Sequence, residues 1–152
     1  MKKRIIKLKP VDAAYIAAFI YGEGSVMLIR AHRNEFRRVH ICISNCDRKL
    51  LDWVLEKTGV GKVYSKKIYN KKHSPTFFYK VTGRNALPLL KQILPYLRTY
   101  KKERAKMILN NFLKLTPRNG KYSKEMLVKK KKFTKEFMNL NTTKRNQVLN
   151  FI

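Results

Sequence analysis

Apolar residues repeat along the chain at two spacings, and the switches between them mark out short elements. After Pro10, a residue that a first helical turn accepts, Asp12 and the stretch Ala13-Ala14-Tyr15-Ile16-Ala17-Ala18-Phe19-Ile20-Tyr21 predict an apolar helix. It stops at Gly22-Glu23-Gly24, where glycine supplies the backbone freedom of a helix exit. Ser25 to Arg30 is short and β-rich, and a polar tip around Arg33-Asn34-Glu35 turns the chain. From Arg38 to Ser44 the alternation places Val39, Ile41 and Ile43 on one face and Arg38, His40, Cys42 and Ser44 on the other. The first face is expected in the core and the second open. Asp47 predicts the cap of a helix carrying Leu50, Leu51, Val54 and Leu55, which ends at Gly59-Val60-Gly61.

A second hairpin is expected over 62–69 and 76–82, with Lys71, Lys72 and His73 at its basic tip. The stretch 86–97 predicts a helix with Leu87, Leu90, Ile93 and Leu94 inward, Pro88 lying early enough to be tolerated. Further helices are expected over about 101–115, 124–138 and 143–151, with Pro117-Arg118-Asn119-Gly120 breaking between the first two. The class is α+β, in the order α-β-β-α-β-β-α followed by helices. We expect one domain over 1–152, with its core at about 10–115 and a helical C-terminal extension at about 116–152. The αββ unit occurs twice, but the pattern of the first helix occurs once.

Composition names a class of partner. Lys and Arg total 36 of the 152 residues and Asp and Glu only 9, a formal charge of +27. With 44% hydrophobic residues the chain is too apolar for a disordered basic tail. Self-repulsion on this scale opposes compaction, so a polyanion is the expected compensating partner, nucleic acid ahead of an anionic membrane. No apolar run is long enough to span a bilayer, and the basic opening lacks the apolar region of a signal peptide. Cys42 and Cys46 are expected as reduced thiols, and with His32, His40 and His73 they show no zinc-ligand spacing. An intracellular chain, cytoplasmic or organellar, is therefore expected.

With acids so scarce, Glu23 stands out. It falls at the carboxyl end of an apolar helix, where the helix dipole disfavours an anion. A divalent cation would compensate it; an acidic turn residue in a glycine-rich helix stop is the other reading. On the same helix Ala14, Ala18 and Gly22 fall at i, i+4 and i+8, a stripe nearly free of side chains. Such a stripe admits another backbone, either the same helix of a second subunit across a two-fold axis or the chain's own sheet.

Ile16-Ala17-Ala18-Phe19-Ile20-Tyr21-Gly22-Glu23-Gly24-Ser25 resembles the LAGLIDADG motif of homing endonucleases, and the element order over about 10–115 matches that family too. A single copy resembles the members that form homodimers. The resemblance implies that Glu23 ligates a catalytic divalent metal, Mg2+ with Mn2+ able to substitute. It places Ala17, Ala18 and Gly22, with Ala14, at the dimer interface. It puts Lys101, or Lys102 one residue on, at the active centre, and Asn45 or Ser44 where a polar residue organises water. Three positions depart from the motif: Ile16 for Leu, Ala18 for Gly, and Tyr21 for its first acid.

The implied function is that of an intron-encoded, sequence-specific, metal-dependent DNA endonuclease, a hydrolase making a double-strand break in a long pseudo-palindromic site. A β-ribbon fits the major groove. On the alternation, Arg38, His40 and Ser44 face double-stranded DNA from the first hairpin and Lys66 and Lys80 from the second; Arg30, Arg33, Arg37, Lys71 and Lys72 lie near the tips. The basic run Lys129–Lys132 is expected on phosphates. The alternative on the same scaffold is a DNA- or RNA-binding module, an intron maturase or a cleavage-inactive relative, with intron RNA as its partner.

Overall fold

The computed structural model describes residues 5–68 and 74–141; Lys71, Lys72, His73 and the helix expected over 143–151 lie outside them. The described elements run α1 (Pro10–Glu23), β1 (Gly24–Ile29), β2 (Arg38–Asn45), α2 (Arg48–Thr58), β3 (Lys62–Ser65), β4 (Phe77–Thr82), α3 (Ala86–Ile93), α4 (Thr99–Asn111) and α5 (Lys124–Asn139). This is the α+β order the two spacings predict. Contacts divide the chain into two compact units, Met1–Leu97 and Arg98–Ile152.

In the first unit one antiparallel sheet has the strand order β1-β2-β4-β3. One of its faces carries Val26, Leu28, Val39, Ile41, Ile43, Tyr79 and Val81, none more than 3% exposed. Helices α1, α2 and α3 pack against these strands, α1 burying Ala13, Ile16, Ala17 and Ile20. Tyr79 brings a hydroxyl into this core. It donates to the Val60 carbonyl at 2.9 Å and lies 3.0 Å from the Thr58 hydroxyl. Burial pushes its pKa up to about 12 against the opposing Thr58 hydrogen bond.

Local chemistry sets most boundaries. Asp47 caps α2 by accepting from the Lys49 N–H at 2.9 Å, and Gly59 ends it at φ 68°. Two expectations need adjustment. The helix expected over 86–97 is regular only for Ala86–Ile93 and tightens into a 3-10 turn at Leu94–Tyr96, where Pro95 has no N–H to give. Leu94 is consequently half-buried, and Leu89 fills the core instead. Strand β3 stops at Ser65 because Pro75 cannot pair beyond the 2.8 Å bond from the Lys66 N–H to the Thr76 carbonyl.

Candidate active site and nucleic-acid interface

Glu23 ends α1 on the surface, one residue before β1. The turn is tight: a Cβ on Gly24 would lie 2.6 Å from the Ile20 Cα and 2.7 Å from the Cys42 carbonyl oxygen, so only glycine fits. Next to Gly24 in the sheet runs the end of β2, which presents Asn45. Its Nδ2 donates to Glu23 Oε2 at 2.6 Å, while its Oδ1 accepts the Asp47 N–H at 2.8 Å. That second bond fixes which end of the amide faces Glu23, because the backbone N–H requires the oxygen. Asp47 in turn caps α2, so carboxylate, amide and helix start form one hydrogen-bonded chain. Of Asn45 and Ser44, the two residues that the resemblance offers for organising water, Asn45 bonds Glu23 directly and Ser44 is half-buried on the neighbouring position.

Among the described residues no three His, Cys, Asp or Glu come together. The donor set of one chain is a single exposed carboxylate with one oxygen held by an amide. That fits a hard divalent ion which takes its remaining ligands from water, phosphate or a second subunit. It does not fit a closed structural site.

The outer face of α1 carries Ala18 and Gly22, both exposed, with half-buried Ala14 on the same stripe. A Cβ on Gly22 would meet nothing within 4 Å. Nothing among the described residues therefore calls for a glycine there, although glycine costs about 1 kcal/mol relative to alanine inside a helix. Beside the stripe, Tyr15 stacks edge-on against Phe19 (4.8 Å between centroids) and Trp53 (5.3 Å). Ala17 departs from the expected interface. It lies one position round the helix, on the side that packs on the sheet, and is 1% exposed.

The face of the sheet away from the helices carries Ser25, Met27 and Ile29 from β1 and Arg38, His40, Cys42 and Ser44 from β2. Lys62 and Tyr64 of β3 and Phe78, Lys80 and Thr82 of β4 complete it, as the pairing register requires. With Met27 and Ile29 apolar on one face and Val26 and Leu28 on the other, alternation alone leaves the facing of β1 open, and Val26 and Leu28 in the core decide it. It had also placed His40 in the open, whereas His40 is only 7% exposed. The reason is position: β2 is an inner strand, and His40 lies between Met27 and Thr82. Burial, with the nearby Lys80 ammonium, lowers its pKa, and its Nδ1 has no hydrogen-bond partner among the described residues. Lys80 sits over the rings of Phe78 at 5.0 Å and Tyr64 at 5.5 Å, which orients its charge. Burial raises the pKa of the Cys42 thiol against the opposing pull of the Lys80 charge. At the tips Arg30 and Arg33 are exposed, Lys66 is exposed, and Arg37 is half-buried with Nη1 donating to the Leu28 carbonyl at 3.2 Å.

No family model and no curated protein matches this sequence. Solved structures do. The homing endonuclease I-CvuI in complex with its target superimposes with a TM-score of 0.70 at 18% identity, over 88% of this chain and 83% of that one. The archaeal intron-encoded homing endonuclease I-Vdi141I complexed with DNA gives 0.57 at 18%, over 86% and 84%. The chain has the LAGLIDADG homing-endonuclease fold. A third structure of that name, I-GzeII with its DNA target, gives a TM-score of 0.57 at 19% identity; this chain covers only 44% of it.

The second unit holds the residue that the LAGLIDADG resemblance puts at the active centre. Lys101 stands in the first turn of α4 and is 8% exposed; burial, then the neighbouring Arg104 charge, lowers its pKa. Lys102 is half-buried. The helix opens from Thr99 at φ 58°, strained for a β-branched residue. In α5 the basic run departs from expectation at Lys130. It is 6% exposed, with Nζ donating to the Leu115 carbonyl at 2.9 Å and to the Thr116 hydroxyl at 3.0 Å. It closes the turn after α4 and has no part in a phosphate surface. No described helix is long and apolar enough to cross a membrane.

Proposed function

We propose that two copies of this chain form a divalent-metal-dependent endonuclease that cuts both strands of a long, pseudo-palindromic DNA site. The observation that carries this is the carboxylate of Glu23, exposed where a helix dipole disfavours it, oriented by Asn45, and placed directly after the bare stripe of Ala14, Ala18 and Gly22. Packing α1 against α1 of a second copy would use a glycine that the chain's own packing does not, and would bring two Glu23 carboxylates towards one axis.

Glu23 would hold the ion, Mg2+ or in its place Mn2+, which when bound polarises the phosphate and acidifies water. Asn45 fixes the carboxylate by a donor bond to its anionic form. Lys101, already drawn from solvent, would balance the charge that develops at phosphorus. The open sheet face, with Arg38, Ser44, Lys66 and Lys80, would enter the major groove, while Arg30 and Arg33 meet bases or phosphates at the hairpin tip.

The test is a cleavage selection on a randomised duplex library with Mg2+, wild type beside Glu23→Gln. Wild type alone should yield cut products with a two-fold symmetric consensus, and Glu23→Gln should bind that consensus without cutting it. Enrichment by binding with no cutting by wild type would instead mark a binding module, with intron RNA the next ligand to try.

A further inference from the structure

Residues 24–45 and 62–82 contain ten Lys and Arg and one acid, Glu35. A carboxylate among these cations weakens the hold on every phosphate nearby, whatever the DNA sequence. An exposed ion pair adds little to folding, so stability does not account for it. Its geometry is specific. The Glu35 N–H donates to the His32 carbonyl at 3.0 Å, fixing the turn, and Oε2 accepts from Arg38 Nη2 at 2.8 Å. Arg38 opens β2 opposite Ile29, on the open face at the tip end of the ribbon. Two other arginines of this hairpin are held differently: Arg37 donates to the Leu28 carbonyl and Arg30 to the Arg33 carbonyl.

We propose that Glu35 is the positioning residue of a guanine-reading Arg38, so that the pair forms one specificity element. A guanidinium carries its N–H groups in one plane. With Nη2 held by Glu35, Nη1 and the second N–H of Nη2 remain for the O6 and N7 acceptors of a guanine in the major groove. The same carboxylate repels phosphate and so discourages Arg38 from serving as a non-specific clamp. Specificity is a difference between affinities, and Glu35 acts on both of its members.

This rests on the DNA-reading function proposed above. The test is a binding selection on randomised duplex in EDTA, using full-length wild type, Glu35→Gln and Arg38→Lys, with melting curves to confirm that all three fold. Wild type should select guanine at one position in each half-site, and both variants should lose about tenfold of that preference at that position alone. Glu35→Gln should also bind unrelated duplex about threefold more tightly at low salt. If Glu35→Gln tightens binding but keeps the guanine, Glu35 is only a repelling charge and the proposal fails. It fails too if the two variants alter different positions. A wild type that selects no sequence would instead remove the DNA-site reading itself.

Discussion

Two buried or tethered polar side chains define what single residues do here. Asn45 is tied at both ends, to Glu23 and to the Asp47 N–H. Asn45→Ala should slow cleavage about 10- to 100-fold, as loss of a partner that orients a metal ligand does. DNA affinity should be unchanged, which single-turnover kinetics beside a binding titration would check. His40 yields a pH dependence. Its pKa in the fold lies below the ordinary value, through burial and then Lys80. The folded chain therefore binds fewer protons than the unfolded one once the pH falls below about 6.5, and stability drops on acidification through that range. Melting temperatures from about pH 8 to pH 5 should show wild type losing its advantage over His40→Gln as the pH falls.

At the scale of elements, α1 does two jobs on two faces. Ala13, Ile16, Ala17 and Ile20 bind it to the sheet, while Ala14, Ala18 and Gly22 leave a bare outer stripe. The two faces separate in one substitution. Gly22→Ala adds a methyl that meets nothing in its own chain, so it should stabilise the isolated protomer by about 1 kcal/mol through helix propensity. In a tightly packed pair the same methyl should weaken the dimer. Light scattering across a dilution series, read beside the melting temperature, separates the two effects. A tighter dimer would show that the stripe faces no partner. The helix ends of α2 were readable from Asp47 and Gly59, because caps are local chemistry; the end of α3 was not, because Pro95 lets the chain tighten a turn that periodicity alone continues.

For the whole molecule the governing quantity is +27. Binding to duplex DNA should fall by about 10³ to 10⁵ between 50 and 200 mM salt if roughly six to ten phosphates are neutralised. Fluorescence anisotropy at several salt concentrations gives the slope, and a flat one would mean that the surplus charge does not meet phosphates. Not all of that surplus is at the surface: Lys130 is buried, with its ammonium on the Leu115 carbonyl and the Thr116 hydroxyl.

The order of elements, the paired hairpins, the caps of α2 and the singular position of Glu23 all lay in the sequence, because each follows from neighbours within a few residues. The single Ala-Phe-Ile-Tyr-Gly-Glu-Gly pattern likewise marked the helix that carries the candidate site. What depended on the third dimension was the assignment of faces and partners. Alternation separates two faces of a strand but does not say which strands lie inside, so it left β1 undecided and His40 exposed. Sheet order β1-β2-β4-β3 settles both. The bond from Asn45 to Glu23 joins residues 22 positions apart, and that from Lys130 to Leu115 joins residues 15 apart. Such contacts are made by chain segments meeting in the fold, and no spacing along the sequence encodes them.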